Sequence, residues 1–315
     1  MSRGRLFVVV TGASRGFGKC VAEEVVRVVA PECPIDLVLV ARSEAGLSCT
    51  ADAIEDIKRG IPGVAEVVVR REAINLEDLD NLEKLLDALL DGVDPKSYSR
   101  ALLVNNAGSL GDICPVDELP SLSKLRAAMD LNVTSAFWLS SRFARLFGRR
   151  RKPQTSQRNT DASPTAEPAP TRDADDVQEK GHSDAETGGG TSDASRNVII
   201  NISSLAALQP FDSWCGYSAG KAARDMFHRQ VLSTLLVLAL EQDTIGGLRV
   251  LNYAPGPMDT DMSREIRTVE EYEDDMRSKK LVDPNLSAAK CIRLALGNTF
   301  TTGSHIDYFD EEETT

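Results

Sequence analysis

Residues 11–18 read Thr-Gly-Ala-Ser-Arg-Gly-Phe-Gly and join a short β-branched run, Leu6–Thr11, to an amphipathic stretch, Gly18–Val29. Three glycines at a strand-to-helix junction constrain this chain more than any other feature. Gly12 permits the tight turn, and Gly16 and Gly18 let the backbone approach a pyrophosphate at the helix N-terminus. Unpaired N–H groups and the helix dipole favour an anion there. Ala13, Ser14, Arg15 and Phe17 complete the loop. A glycine-rich turn alone is a weak signal; its position between a strand and a helix strengthens it.

The rest of the chain repeats this alternation. Leu6–Thr11, Asp36–Val40, Glu66–Arg70, Ala101–Val104, Asn197–Ile202, Leu248–Asn252 and Gly303–Tyr308 read as strands. The first five are nearly continuous apolar runs, as expected for a parallel sheet covered on both faces. Helical patterns lie between them at Gly18–Val29, Glu44–Arg59, Leu76–Leu90, Leu122–Phe147, Tyr217–Leu240 and Asn285–Leu296. The expected fold is α/β: one Rossmann-type, doubly wound parallel sheet of about seven strands, spanning 1–315 as a single domain.

Pro153–Ser195 breaks the pattern, with Val177 its one large aliphatic residue. Such a stretch buries too little apolar area to offset its ordering entropy, so 149–196 is expected to be a disordered loop insertion. Its leading cluster, Arg149–Lys152, reads as a solvated flank, with a targeting or phosphate-binding patch as the alternative. Residues 309–315 read as an acidic tail.

The net charge of −12 argues against a nucleic-acid surface, which needs a basic face. Six cysteines are scattered without a C-x-x-C pair, which suits a reduced protein. No run approaches the roughly 18 apolar residues of a membrane span, and no signal sequence is evident, so a cytoplasmic location is expected. His182, His228 and His305 are dispersed without ligand spacing, and no metal is expected.

The second strand ends Val40-Ala41-Arg42-Ser43. An NAD site usually has an acid here for the ribose diol; Arg42 stands instead, with Arg15 in the glycine loop. Two guanidinium groups at that point suit a 2′-phosphate, so NADPH is the expected cofactor. Ile74 and Asn75 follow the third strand, and Asn105-Asn106-Ala107-Gly108 ends the fourth, where small residues let the chain pass beside a cofactor.

Ser204 lies just past the fifth strand, Tyr217 follows 13 residues later, and Lys221 four after that. Residues four apart share a helix face, so the ammonium can approach the phenol and stabilise its anion. A free phenol, titrating near about 10, is otherwise a poor acid-base catalyst at neutral pH. Ser204 can polarise a substrate carbonyl, and Asn132 could hold a water that relays protons to Lys221.

TGxxxGxG, NNAG, Asn132 and S-x12-Y-x3-K, in this order, resemble the short-chain dehydrogenase/reductase family over most of the chain. The resemblance implies an oxidoreductase acting on a carbonyl, with Ser204, Tyr217, Lys221 and Asn132 catalytic. Further similar blocks narrow it to pterin-reducing members: Asn105–Asp112, Ile202–Leu205 with Ala207–Phe211, Ala219–Met226, Leu251–Pro257, Asp259–Met262 and Gly303–Asp307. It then implies NADPH-dependent reduction of the side-chain carbonyls of a pterin, sepiapterin or 6-pyruvoyl-tetrahydropterin, in the final step of tetrahydrobiopterin biosynthesis. By position, Ser204, Tyr217, Gly256 and Asp307 would touch substrate, with Asp307 anchoring the pterin. Met258, Asp259, Thr260, Asp261, Met262 and Ser263 would close over the nicotinamide end. A homodimer through 122–147 and 217–240 is implied as well. Asn75 departs from the family's usual Asp, and the insertion and tail are foreign to it.

Two other readings compete. One is a reductase of other dicarbonyls or aromatic ketones; a deep carboxylate at Asp307 would disfavour an apolar diketone. The other is a binding protein that senses NADPH without turnover, against which the intact Ser-Tyr-Lys set argues.

Overall fold

The computed structural model describes residues 4–151, 197–241, 244–266 and 281–311. The strands are β1 (Arg5–Thr11), β2 (Ile35–Ala41), β3 (Val67–Ala73), β4 (Tyr98–Asn105), β5 (Arg149–Arg151), β6 (Asn197–Ile202), β7 (Thr244–Gly246), β8 (Leu248–Ala254) and β9 (His305–Asp307). The helices are α1 (Gly16–Val29), α2 (Glu44–Arg59), α3 (Leu79–Leu90), α4 (Leu122–Met129), α5 (Ser135–Phe147), α6 (Cys215–Glu241), α7 (Asp261–Ile266) and α8 (Pro284–Gly297).

Seven strands form one parallel sheet in the order β3-β2-β1-β4-β6-β8-β9. Alternate residues of a strand point to opposite faces, and β1 shows the consequence. Leu6, Val8 and Val10 join a core with Val21 and Val25 of α1, Leu47 of α2 and Ile292 of α8. Phe7 and Val9 join a second core with Leu86 of α3 and Leu139 and Phe143 of α5. Sequence order reverses between β1 and β4, and the carboxyl ends of the strands open a crevice at such a switch point.

Three details differ from the expectations. Leu122–Phe147 is not one helix, since a π-helical turn at Asp130–Thr134 separates α4 from α5. Arg149–Arg151, assigned from sequence to the insertion, form a strand instead, because their backbone pairs antiparallel with β7. Residues 309 and 310, assigned to the tail, belong to the turn after β9, where Asp310 Oδ2 accepts from the Asp307 N–H at 2.7 Å. The expected disorder at 152–196 and the remaining tail, 312–315, lie outside the described residues. No helix among the described residues is long and apolar enough to cross a membrane.

Candidate active site

The glycine loop is built for close approach. Gly12 has φ +67°, and a Cβ at Gly18 would stand 2.4 Å from both the Gly12 oxygen and Asn106 Nδ2. Side chains at these positions would disrupt the turn. Thr11 locks the neighbouring strand end: its hydroxyl accepts from the N–H groups of Asn106 and Ala107, both at 3.0 Å. No side chain caps α1, and its first turn carries no acid. Its N-terminal amides are therefore free of internal competitors, and the loop fits a dinucleotide pyrophosphate.

A cleft of about 1030 Å³ runs from this loop to the end of β9. Of the residues expected at the site, it is lined by Gly12, Ser14, Arg15, Gly16, Phe17, Arg42, Ile74, Asn75, Ala107, Gly108, Ser204, Tyr217, Lys221, Gly256, Met258, Thr260, Asp261, Met262, Ser263 and Asp307.

Six others do not line it. Ala13 is buried, with its N–H on the Val40 carbonyl at 3.2 Å, and Gly18 backs the glycine turn. Ser43 caps α2 by accepting from Gly46 N–H. Asp259 lies 3.7 Å from Arg264. Asn105 donates to Ser140 Oγ at 2.6 Å. Asn132 sits in the π-helical turn with both ends of its amide engaged, its Oδ1 accepting from Ser109 N–H and its Nδ2 donating to the Ser109 carbonyl, each at 2.9 Å. Its side chain braces the Ser109 loop.

The arginines at the cofactor end are paired in this structure, Arg15 with Asp261 at 2.9 Å and Arg42 with Glu77 at 3.2 Å. Both are largely exposed, so their heads remain able to turn toward a phosphate.

At the catalytic end, Ser204 caps the turn Leu205–Ala207, and Tyr217 is hydrogen-bonded to Ser204. Lys221 donates to the Ile202 carbonyl at 2.7 Å, with its Nζ 5.4 Å from the Tyr217 ring centre. Burial raises the Tyr217 pKa; the Ser204 hydrogen bond and the charge of Arg224 act in the opposite direction. Burial also drives the Lys221 pKa well down, Arg224 adds to this, and Asp225 counters it. The phenol is thus held protonated, the form a proton donor requires.

Arg224 was not legible as functional. It is fully buried, donating to Asn201 Oδ1 at 2.7 Å, to the Ala107 carbonyl at 3.0 Å and to the Asn105 carbonyl. It ties the ends of β4 and β6 to the catalytic helix. The wall opposite the cofactor loop is apolar: Leu110 and Ile266 are buried, Phe211 and Trp214 lie 5.6 Å apart, and the Trp214 ring meets Tyr217 edge-on at 5.6 Å. No group of three or more His, Cys, Asp or Glu among the described residues could hold a metal ion.

The short chain dehydrogenase family model matches residues 6–154 and 191–271. Sepiapterin reductase of Xenopus laevis is 31% identical over 98% of this chain and 97% of its own length, and that of Bos taurus 32% identical over 98% and 96%. A benzil reductase ((S)-benzoin forming) of Bacillus subtilis is 24% identical over 82% of this chain and 77% of its own. Among solved structures, a 7α-hydroxysteroid dehydrogenase complexed with NADH superposes with TM-score 0.63 at 20% identity, covering 98% of this chain and 95% of that one. An actinorhodin polyketide ketoreductase variant with NADPH gives 0.61 at 19% identity, covering 98% and 97%. On the family match and this kinship over nearly the whole length, the chain belongs to the short-chain dehydrogenase/reductase family, is similar to sepiapterin reductases, and is an oxidoreductase acting on a carbonyl.

Proposed function

We propose that the protein reduces the side-chain carbonyls of a pterin, sepiapterin or 6-pyruvoyl-tetrahydropterin, with NADPH, as the last step in making tetrahydrobiopterin. One observation carries this reading: the Asp307 carboxylate and the Ser204–Tyr217 pair line the same cleft. A pterin presents an adjacent N–H and NH₂ that match one carboxylate, and its side-chain carbonyl lies at the other end of the molecule. Asp307 Oδ1 already accepts from Phe309 N–H at 3.0 Å, which fixes the carboxylate while leaving lone pairs for a ligand. The names of the full-length relatives support the same substrate.

When bound, NADPH supplies the hydride. Gly12–Gly18 with the α1 N-terminus would hold its pyrophosphate, and Arg15 and Arg42 its 2′-phosphate. Ser204 hydrogen-bonds the substrate carbonyl, Tyr217 gives its proton to that oxygen as the carbon is reduced, and the product is an alcohol. The charge of Arg224 favours the phenol's anion as it loses its proton, and Lys221 lines the cleft beside it.

The apolar wall of Leu110, Phe211, Trp214 and Ile266 favours a second reading, reduction of aromatic diketones, in line with the benzil reductase relative. The decisive experiment is NADPH oxidation with sepiapterin beside a simple diketone. A clear preference for the diketone would reverse the order of the two readings. We also place the protein in the cytoplasm as a homodimer through α4–α5 and α6, where Leu122 and Met226 are exposed. A monomer by analytical ultracentrifugation would overturn that assembly.

A further inference from the structure

Four neighbouring strands carry polar side chains at one level of the sheet. Asn105 stands opposite Asn201, Asn201 opposite Asn252, and Asn252 opposite His305. Ile200, Ile202, Leu251, Tyr253 and Ile306 pack on the α1–α8 side. By alternation the polar row therefore faces α6. Asn201 donates to Asn252 Oδ1 and to Asp225 Oδ1, each at 2.9 Å. His305 Nδ1 lies 2.6 Å from Asp225 Oδ2, with both side chains at least nine-tenths buried. Burying such groups costs several kcal/mol unless each is paired, and an apolar row would fill the space without that cost.

The ends of this link suggest its use. Tyr217, Lys221 and Asp225 follow at four-residue intervals on α6, so the carboxylate continues the catalytic face of that helix. His305 and Asp307 are two apart on β9, so they share a face. β9 is three residues long and lies at the sheet edge, where few ladder bonds hold it. From the other side, Lys290 of α8 donates to the carbonyls of Asp307 at 3.3 Å and Tyr308 at 2.9 Å and to that of Asp310, fixing the turn after Asp307. Asp225–His305 ties the strand itself to the catalytic helix.

We propose that the Asp225–His305 hydrogen bond is a positioning element that sets the span between Tyr217 and the Asp307 carboxylate, and so favours substrates that engage both ends. This rests on reading Asp307 as the substrate anchor. A small diketone, which uses the Ser204–Tyr217 end alone, does not depend on that span.

The test is NADPH oxidation with sepiapterin and with a small diketone, comparing kcat/KM for wild type, His305→Leu, His305→Gln and His305→Asn, with and without Asp307→Asn. A misplacement of about 1 Å can cost roughly a hundredfold, so His305→Leu and His305→Gln should lose about tenfold to a hundredfold on sepiapterin. The loss on the diketone should be smaller by about tenfold. His305→Asn, whose amide can donate from near the Nδ1 position, should keep most of the preference. In the Asp307→Asn background, His305→Leu should add less than about threefold, since coupled residues are not additive. Should His305→Leu not fold, the Gln and Asn pair carries the same comparison. Equal losses on both substrates, or full additivity with Asp307→Asn, would overturn the positioning role. If Asp307→Asn lowers the preference and the His305 variants do not, this inference alone fails. If Asp307→Asn leaves the preference unchanged, the anchor reading is what fails, and the inference falls with it.

Discussion

Arg42 Nη1 stands 3.2 Å from Glu77 Oε1, so a carboxylate from the loop after β3 holds the guanidinium at the end of β2. An exposed pair of this kind contributes about 0–1 kcal/mol, less than a charge-assisted bond to a phosphate gains. Arg42→Asp should weaken NADPH binding and narrow or reverse the preference over NADH. Glu77→Gln should leave Arg42 freer and tighten NADPH by a few-fold at most, about 1 kcal/mol. Fluorescence titration of both cofactors measures this, and an unchanged NADPH/NADH ratio in Arg42→Asp would remove Arg42 from the phosphate site.

Tyr217→Phe deletes the proton and little else. Its turnover should fall by about 10²–10⁴, the range of a lost general acid, with NADPH binding nearly unchanged. Lys221→Ala should lower turnover and also weaken cofactor binding, because the lysine lines the cofactor cleft and holds the Ile202 carbonyl. Near-normal kcat in Tyr217→Phe would reassign the donor.

Asp307→Asn keeps the shape of the anchor and removes its charge. Loss of this carboxylate's match to the substrate should cost roughly a hundredfold in kcat/KM for sepiapterin, and at least tenfold less for a diketone. Steady-state kinetics on the two substrates decide it, and equal effects would argue against a pterin.

His228 gives a pH dependence of stability. Its ring is fully buried, with Nδ1 2.7 Å from the Arg224 carbonyl and Nε2 2.9 Å from Ser140 Oγ. Burial lowers its pKa from 6.5 to about 4, so the folded protein keeps it neutral where the unfolded chain would protonate it. That contribution is fully present above about pH 6.5 and is lost as pH falls through 4. The whole swing is roughly 3 kcal/mol at about 1.4 per pKa unit. His228→Gln should flatten the fall in Tm between pH 6.5 and 4; an unaltered slope would place the titration elsewhere.

Much of the site was legible because its signals are local. TGxxxGxG marks a strand, a turn and an uncapped helix within eight residues, and Tyr217 and Lys221 are one helical turn apart. Asp307 could be placed by its motif, while composition alone would have assigned it to a solvated tail with Asp310. Glu77 opposite Arg42 gave no comparable signal, since an acid in a polar loop is ordinary.

The residues along the chain determined a doubly wound parallel sheet, the glycine loop at its switch point and the Ser204–Tyr217–Lys221 grouping, because helix and strand periods repeat over a few residues. Tertiary structure alone decided that Arg224, Asp225 and His228 face inward, that Asp310 closes the turn holding Asp307, and that His305 meets Asp225 across 80 residues. Those pairings depend on sheet register and on how α6 settles over four strand ends. A local period encodes neither, so groups that read as ordinary helix or tail residues are brought together beneath the site.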